Sequence, residues 1–233
     1  MNHYPLIVIP IKAFDLAKTR LGERLSPDHR SRLAQRLCER TLSFLARHFP
    51  EHDRLVVTAS ASIGDLAMAH GAQVLEEPGV DGLSQAASRA AAWARRHGYE
   101  SQLLIPADIV QLDEQEIRRL LASFSGGPGV VICQANDGGT NALLTAPPDA
   151  MVFHFGLDSA AAHYAEARRR ALPCRVLKLK NLSFDLDTPT DLSTLEALIQ
   201  GNGSETLQEL KTLWTPCMTP SEMAPRAAWR TTP

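Results

Sequence analysis

Short, wholly apolar runs alternate with longer amphipathic stretches along most of this chain. Leu6 to Ile11 is the first such run, and Ser26-Pro27-Asp28 then supplies an N-cap, a first-turn proline and a first-turn acid to a long amphipathic segment. The pair reads as a strand followed by a helix. The pattern recurs at Leu55-Val56-Val57-Thr58 before a helix near Ile63 to His70, and at Gln73-Val74-Leu75 before an alanine-rich helix from Leu83 to His97. Leu103-Leu104-Ile105, a helix from Asp113 to Phe124 and the run Val130-Val131-Ile132-Cys133 continue it. Strands without polar alternation are buried on both faces, and strands separated by helices run parallel. The expected fold is therefore a doubly wound α/β domain with a largely parallel, mixed sheet.

After Asn136 the alternation loosens into loops and shorter strands, before a helix near Ser159 to Arg170, a strand at Arg175 to Leu179 and a last helix from Pro189 to Ile199. From Gly201 onward Ser, Thr, Pro and Gly dominate; at most Ser204 to Trp214 can form a short helix, and the end of the chain is expected to be mobile. A length of 233 residues suits one sizeable core. The expected organisation is one domain over 1–200 and a tail over 201–233.

Charge and cysteine usage narrow the class of function. Lys plus Arg number 24 against 26 Asp plus Glu, a formal net charge of −2 that asks for neither nucleic acid nor an anionic membrane surface. No run approaches the roughly 20 apolar residues of a membrane span, and Met1 to Lys12 lacks the features of a signal peptide, so a cytoplasmic protein is expected. Cys38, Cys133, Cys174 and Cys217 form no C-x-x-C pair, and the eight histidines form no recognised ligand spacing.

In an open parallel sheet, ligands bind beyond the carboxyl ends of the strands, so polar residues just after the apolar runs are the candidates. Four places qualify. The loop Lys12 to Leu21 carries Lys12, Lys18 and Arg20, three cations suited to a nucleotide triphosphate; a basic solvated loop is the bland alternative. Asp108 ends the apolar strand Ile105-Pro106-Ala107, where an acid is costly unless exposed, capping or paired with a metal. Asp185 and Asp187 lie two positions apart in Phe184-Asp185-Leu186-Asp187-Thr188-Pro189, so an extended chain projects both from one side. Two hard oxygen donors there suit Mg²⁺, although Asp187 could instead cap the helix entered through Pro189. The fourth is the turn Asn136-Asp137-Gly138-Gly139-Thr140-Asn141 with Gly156 and Ser159 at a later helix start, where glycine amides and a helix N-terminus favour an anion.

Taken in order, Pro10-Ile11-Lys12 with Ala17-Lys18-Thr19-Arg20-Leu21, Pro106-Ala107-Asp108, Gly139-Thr140-Asn141-Ala142-Leu143-Leu144 and Asp185-Leu186-Asp187-Thr188-Pro189 resemble the 2-phospho-L-lactate guanylyltransferase family. The resemblance runs from about Leu6 to Leu198. It implies a nucleotidyltransferase variant of the doubly wound sheet, similar to glycosyltransferase-A folds, and transfer of a guanylyl group from GTP to a small phosphorylated acid in coenzyme F-420 biosynthesis. It further implies that Asp108, Asp185 and Asp187 hold Mg²⁺, that Lys12, Lys18 and Arg20 face the GTP phosphates with Asp108 sharing in catalysis, and that Thr140, Gly156 and Ser159 hold the acceptor. The segment from Glu77-Pro78 to Gly82-Leu83 resembles the guanine-side loop, giving Pro78, Gly82 and Ser84 as nucleotide-binding candidates. The alternatives are a molybdopterin or sugar-phosphate nucleotidyltransferase, a nucleotide-sugar glycosyltransferase, or a nucleotide-binding protein without turnover. The first two nucleotidyltransferases usually carry a glycine-rich turn after the first strand, and no glycine precedes Gly22 here. The acceptors 2-phospho-L-lactate, phosphoenolpyruvate and 3-phospho-D-glycerate are not ranked, and the oligomeric state, a homodimer included, is left open.

Overall fold

A computed structural model of the chain describes residues 4–79, 81–202 and 210. Seven strands form one sheet: β1 (Leu6–Pro10), β2 (Arg54–Thr58), β3 (Gln73–Glu76), β4 (Gln102–Leu104), β5 (Gly129–Gln134), β6 (Thr140–Ala146) and β7 (Cys174–Leu177). Their spatial order is β3-β2-β1-β4-β6-β5-β7. Every pairing is parallel except those of β6, which runs antiparallel to both β4 and β5. This is the largely parallel, mixed sheet that the apolar runs predict.

Among the described residues six helices cover it: α1 (Pro27–His48), α2 (Ala61–Ala69), α3 (Leu83–Arg96), α4 (Glu114–Ala122), α5 (Ser159–Arg169) and α6 (Pro189–Asn202). Alternate strand residues separate two cores. Ile7, Ile9, Val56, Leu103 and Val131 pack with α1, α2 and α4, whereas Leu6, Val8, Leu55, Leu104 and Val130 pack with α3 and α5. The alanines of α3 (Ala86, Ala87, Ala90, Ala91 and Ala94) are buried, so that helix lies close on the sheet. A third cluster joins Leu21, Leu33, Leu37, Leu186 and Leu192 and contains Leu210. The short helix at Ser204 to Trp214 and the mobility expected of the tail otherwise fall outside the described residues.

Local signals explain the boundaries. Ser26 Oγ accepts from the His29 amide ahead of Pro27, as a cap followed by a first-turn proline should. Asp113 caps α4 by accepting from the amides of Gln115 and Glu116. The basic loop after β1 is more ordered than its sequence suggests. It folds into two 3-10 turns, Phe14–Leu16 and Thr19–Glu23, that pin Leu21 into the third cluster.

The chain runs outward from β1 through β2 to β3, then returns to β4 on the other side of β1. That reversal opens a crevice beyond the carboxyl ends of β1 and β4. Because β6 is antiparallel, its first residue, Thr140, lies at this same end of the sheet.

Candidate active site

Beyond β1 and β4 lies a cleft of about 430 Å³ whose wall includes Lys12, Lys18, Glu77, Gly82, Asp108 and Asp187. That volume suits a nucleotide. Asp108 and Asp187 of this wall converge with Asp185, so that the three aspartates singled out in the sequence bring one carboxylate oxygen each within 4.8 Å of one another. Asp185 bridges to Ile109 in an extended segment, so Asp185 and Asp187 leave the chain on one side while Leu186 between them is buried.

Lys18 enters this cluster and is nearly enclosed, its side chain 4% exposed. Its Nζ donates to Asp108 Oδ2 at 2.6 Å and to Asp187 Oδ1 at 2.8 Å. Burial pulls the amine's pKa down, but Asp108 and Asp187 outweigh it and hold it above the ordinary lysine value. The residue sits in the left-handed region, φ 55°, a conformation kept only where surrounding contacts enforce it. Lys12 and Arg20 stay exposed; both act on Asp187 by charge.

The two neighbouring aspartates differ electrostatically. Asp185 is pushed up to about 6, first by burial and then by the charge of Asp108, against the opposing hydrogen bond from Asn141 Nδ2 at 3.1 Å. For Asp187 burial pulls the same way, yet the Lys18 ammonium prevails and holds the carboxyl below the usual range. Three carboxylates sharing one ammonium leave an excess of negative charge, and this oxygen-only donor set fits a hard divalent cation such as Mg²⁺.

Asp187 does not cap α6. Thr188 and Asp191 do so reciprocally: Thr188 Oγ1 accepts from the Asp191 amide at 3.3 Å, and Asp191 Oδ2 accepts from the Thr188 amide at 2.7 Å. With that task taken, Asp187 is free for the cluster. Glu116 holds the preceding segment, accepting from the amides of Asn181 and Leu182 at 3.0 and 2.8 Å.

On the far side of the cluster Thr140 and Ser159 meet, Ser159 Oγ donating to Thr140 Oγ1 at 3.0 Å. The β5–β6 ladder skips Asn141, and this irregularity lets adjacent side chains serve different partners, Thr140 toward α5 and Asn141 toward Asp185. Gly156 lies exposed ahead of α5 with φ 140°. The glycine turn itself does not present its amides to an anion, contrary to expectation. The Gly139 amide donates to Asp137 Oδ1 and that of Gly138 to the Ala135 carbonyl. The first amides of α5 are likewise engaged, Ser159 with Gly156 and Ala160 with Gly138. With those four amides engaged, the Thr140 and Ser159 hydroxyls are donors this region offers alongside the backbone at Gly156.

Among the nucleotide-side candidates, Gly82 lines the cleft and Pro78 is exposed on the loop beside it. Ser84 Oγ accepts from the Phe155 amide at 2.9 Å, tying α3 to the segment before Gly156. Arg89 braces the loop through Glu77 at 3.0 Å and through Asp81. Asn141, Glu116 and this Arg89 pair escaped the sequence reading as site residues. Asn141 alone had a signal, its place beside Thr140 in the glycine turn.

The sequence pattern of the family described as "Guanylyl transferase CofC like" matches residues 6–225. The chain belongs to that family. Among curated members, a 3-phospho-D-glycerate guanylyltransferase from Colwellia psychrerythraea is 48% identical, over 89% of this chain and 96% of its own. A phosphoenolpyruvate guanylyltransferase from Sphaerobacter thermophilus is 35% identical over 82% and 91%, and a 2-phospho-L-lactate guanylyltransferase from Methanothermobacter thermautotrophicus 34% over 88% and 89%. The family thus acts as guanylyltransferases on phosphorylated acids. Among solved structures, a candidate nucleotide-diphospho-sugar transferase from Desulfovibrio desulfuricans G20 superposes with a TM-score of 0.72 at 23% identity, covering 90% of this chain and 96% of that one. A 4-diphosphocytidyl-2C-methyl-D-erythritol synthase follows with 0.58 at 13%, covering 85% and 99%. These two place the CofC-like chain in the nucleotidyltransferase fold. No helix among the described residues is long and apolar enough to cross a membrane.

Proposed function

We propose that this protein transfers GMP from GTP to the phosphate of a small phosphorylated acid (2-phospho-L-lactate, phosphoenolpyruvate or 3-phospho-D-glycerate), as a cytoplasmic step of coenzyme F-420 biosynthesis. The observation that carries the reading is the convergence of Asp108, Asp185 and Asp187 around the Lys18 ammonium, beside a nucleotide-sized cleft and next to the Thr140–Ser159 hydroxyl pair. One domain carries this machinery, its third core cluster including Leu210 beyond α6.

GTP lies in the cleft with its base toward the loop that holds Pro78 and Gly82, Ser84 supporting that wall from behind. Asp108, Asp185 and Asp187 hold Mg²⁺, which when bound supplies charge neutralisation across the phosphates. Lys12, Lys18 and Arg20 compensate the triphosphate, and Lys18 is released from its carboxylates to do so. Thr140, Gly156 and Ser159 hold the acceptor. An oxygen of the acceptor's phosphate attacks the α-phosphorus of GTP; the new P–O bond forms as the bond to the leaving pyrophosphate breaks. A phosphate monoester has a second pKa of about 6 and is largely ionised at neutral pH, so no strong general base is needed.

The test is pyrophosphate release from GTP with Mg²⁺ and each of the three acids, with ATP and CTP as controls. Release with GTP and one acid is expected. Absence of release with all three would reduce the protein to a nucleotide-binding module.

A further inference from the structure

Behind the hydroxyl pair stands His163, a fully buried residue of α5 with no part in the scheme above. Its Nε2 accepts from the backbone N–H of His154 at 2.9 Å, and its Nδ1 lies 3.1 Å from Thr140 Oγ1. An N–H pointed at Nε2 requires that nitrogen to be unprotonated. The neutral ring therefore carries its one proton on Nδ1 and donates it to Thr140. Burial favours the same neutral form, pushing His163 down to about 4.

Ring, Ser159 hydroxyl and Thr140 hydroxyl bring three protons. Two are spent on Thr140 Oγ1, one from Nδ1 and one from Ser159. The remaining hydroxyl proton has no acceptor within the triad. Were Nδ1 unprotonated it would accept that proton instead, and the pair would offer only lone pairs, which repel an anion. Thr140 is the less enclosed of the two, 9% exposed against 1% for Ser159, so the free proton is placed at the site's edge. Accepting two hydrogen bonds also polarises the Thr140 O–H and strengthens it as a donor.

We infer that His163 is a positioning residue: locked as its Nδ1–H tautomer by the His154 amide, it turns the Thr140–Ser159 pair into a net hydrogen-bond donor for the anionic acceptor. This rests on the proposal that Thr140 and Ser159 hold the acceptor. The ring also faces Phe155 edge-on, centroids 4.8 Å apart, so it braces the segment leading to Gly156 as well.

Two substitutions separate the bracing from the donor role. Asn places an amide N–H where Nδ1 was but cannot reach the His154 amide; Gln places a carbonyl where Nε2 was but cannot reach Thr140. Steady-state kinetics with GTP and each of the three acids should show His163→Gln raising the acceptor KM about tenfold while the GTP KM stays put, with His163→Asn within about threefold of the natural enzyme. Equal effects of the two variants would overturn the inference in favour of bracing alone. Thr140→Val supplies the control: if it raises the acceptor KM and His163→Gln does not, the inference falls and the acceptor assignment stands; if neither changes it, both fall. Should the variants fold poorly, ¹H–¹⁵N correlation of the histidine rings in the unmodified protein decides. A protonated Nδ1 that shifts on adding 3-phospho-D-glycerate, phosphoenolpyruvate or 2-phospho-L-lactate supports the inference, and a protonated Nε2, or no shift with any of them, refutes it.

Discussion

Replacing Lys18 with Met separates stability, metal affinity and turnover. The ammonium makes two charge-assisted bonds, at 2.6 and 2.8 Å, from a side chain only 4% exposed. Breaking a fully buried pair costs about 3–5 kcal/mol, but the carboxylates of Asp108 and Asp187 are 30% and 43% exposed, and solvent screening reduces the expected loss to about 2–3 kcal/mol. For a chain of this size each kcal/mol moves Tm by about 2–4 °C, so Lys18→Met in metal-free buffer should melt about 4–12 °C lower. Three ionised carboxylates and one ammonium carry a net −2; without the ammonium they carry −3. A divalent cation should then bind more tightly, and millimolar Mg²⁺ should raise the variant's Tm by more than that of the natural protein. Turnover should nevertheless fall by at least about a hundredfold, because a cation aimed at the phosphates is gone. Differential scanning fluorimetry with and without Mg²⁺, alongside pyrophosphate release, reads all three. Weaker Mg²⁺ stabilisation in Lys18→Met than in the natural protein would refute the reasoning, since Lys18 would then not be standing in the cation's place.

Two further predictions concern the acceptor side. Glu166 accepts from Arg169 and Arg170, whose hydrogen bonds push its carboxyl down to about 2, below the about 4.3 of an unfolded chain. A depressed acid stabilises the fold above the unfolded value and loses that contribution as pH falls from about 4.3 through 2, so Glu166→Gln should be less stable by about 1 kcal/mol at pH 7, by about half that near pH 3 and nearly equal only at about pH 2 and below in urea titrations. Gly138 has φ 90°, and a Cβ there would meet Asp158 Oδ1 at 2.9 Å. Gly138→Ala should therefore strain the turn that aims Thr140 and raise the acceptor KM several-fold with little effect on that of GTP, at about 1–2 kcal/mol of stability.

The layered architecture was legible because its inner strands are buried on both faces: Leu6 to Ile11 and Val130 to Cys133 need no tertiary information to be recognised. The acid cluster was legible because each member follows an apolar run, and alternation put Asp185 and Asp187 on one side whatever their distance from Asp108. The pairings were not. Nothing in the order of residues says that Lys18 rather than Lys12 is enclosed by Asp108 and Asp187, since that depends on the 3-10 turns folding Leu21 inward. Asp187 looked equally suited to capping α6 until Thr188 and Asp191 were seen to do it. The glycine turn misled for a related reason: its amides are consumed by Asp137 and Ala135, so its value lies in aiming Thr140 and Asn141. His163, with His154, flanked a segment of interest in the sequence, but a histidine inside an amphipathic helix reads as packing.

The most direct test of guanylyl transfer is the fate of the acceptor's oxygens. With GTP, Mg²⁺ and an acceptor acid labelled with ¹⁸O in its phosphate, the account predicts a product with the mass of GMP joined to the acid through a phosphoanhydride, every labelled oxygen retained and unlabelled pyrophosphate released. Label appearing in pyrophosphate, or GMP formed without a joined product, would contradict it.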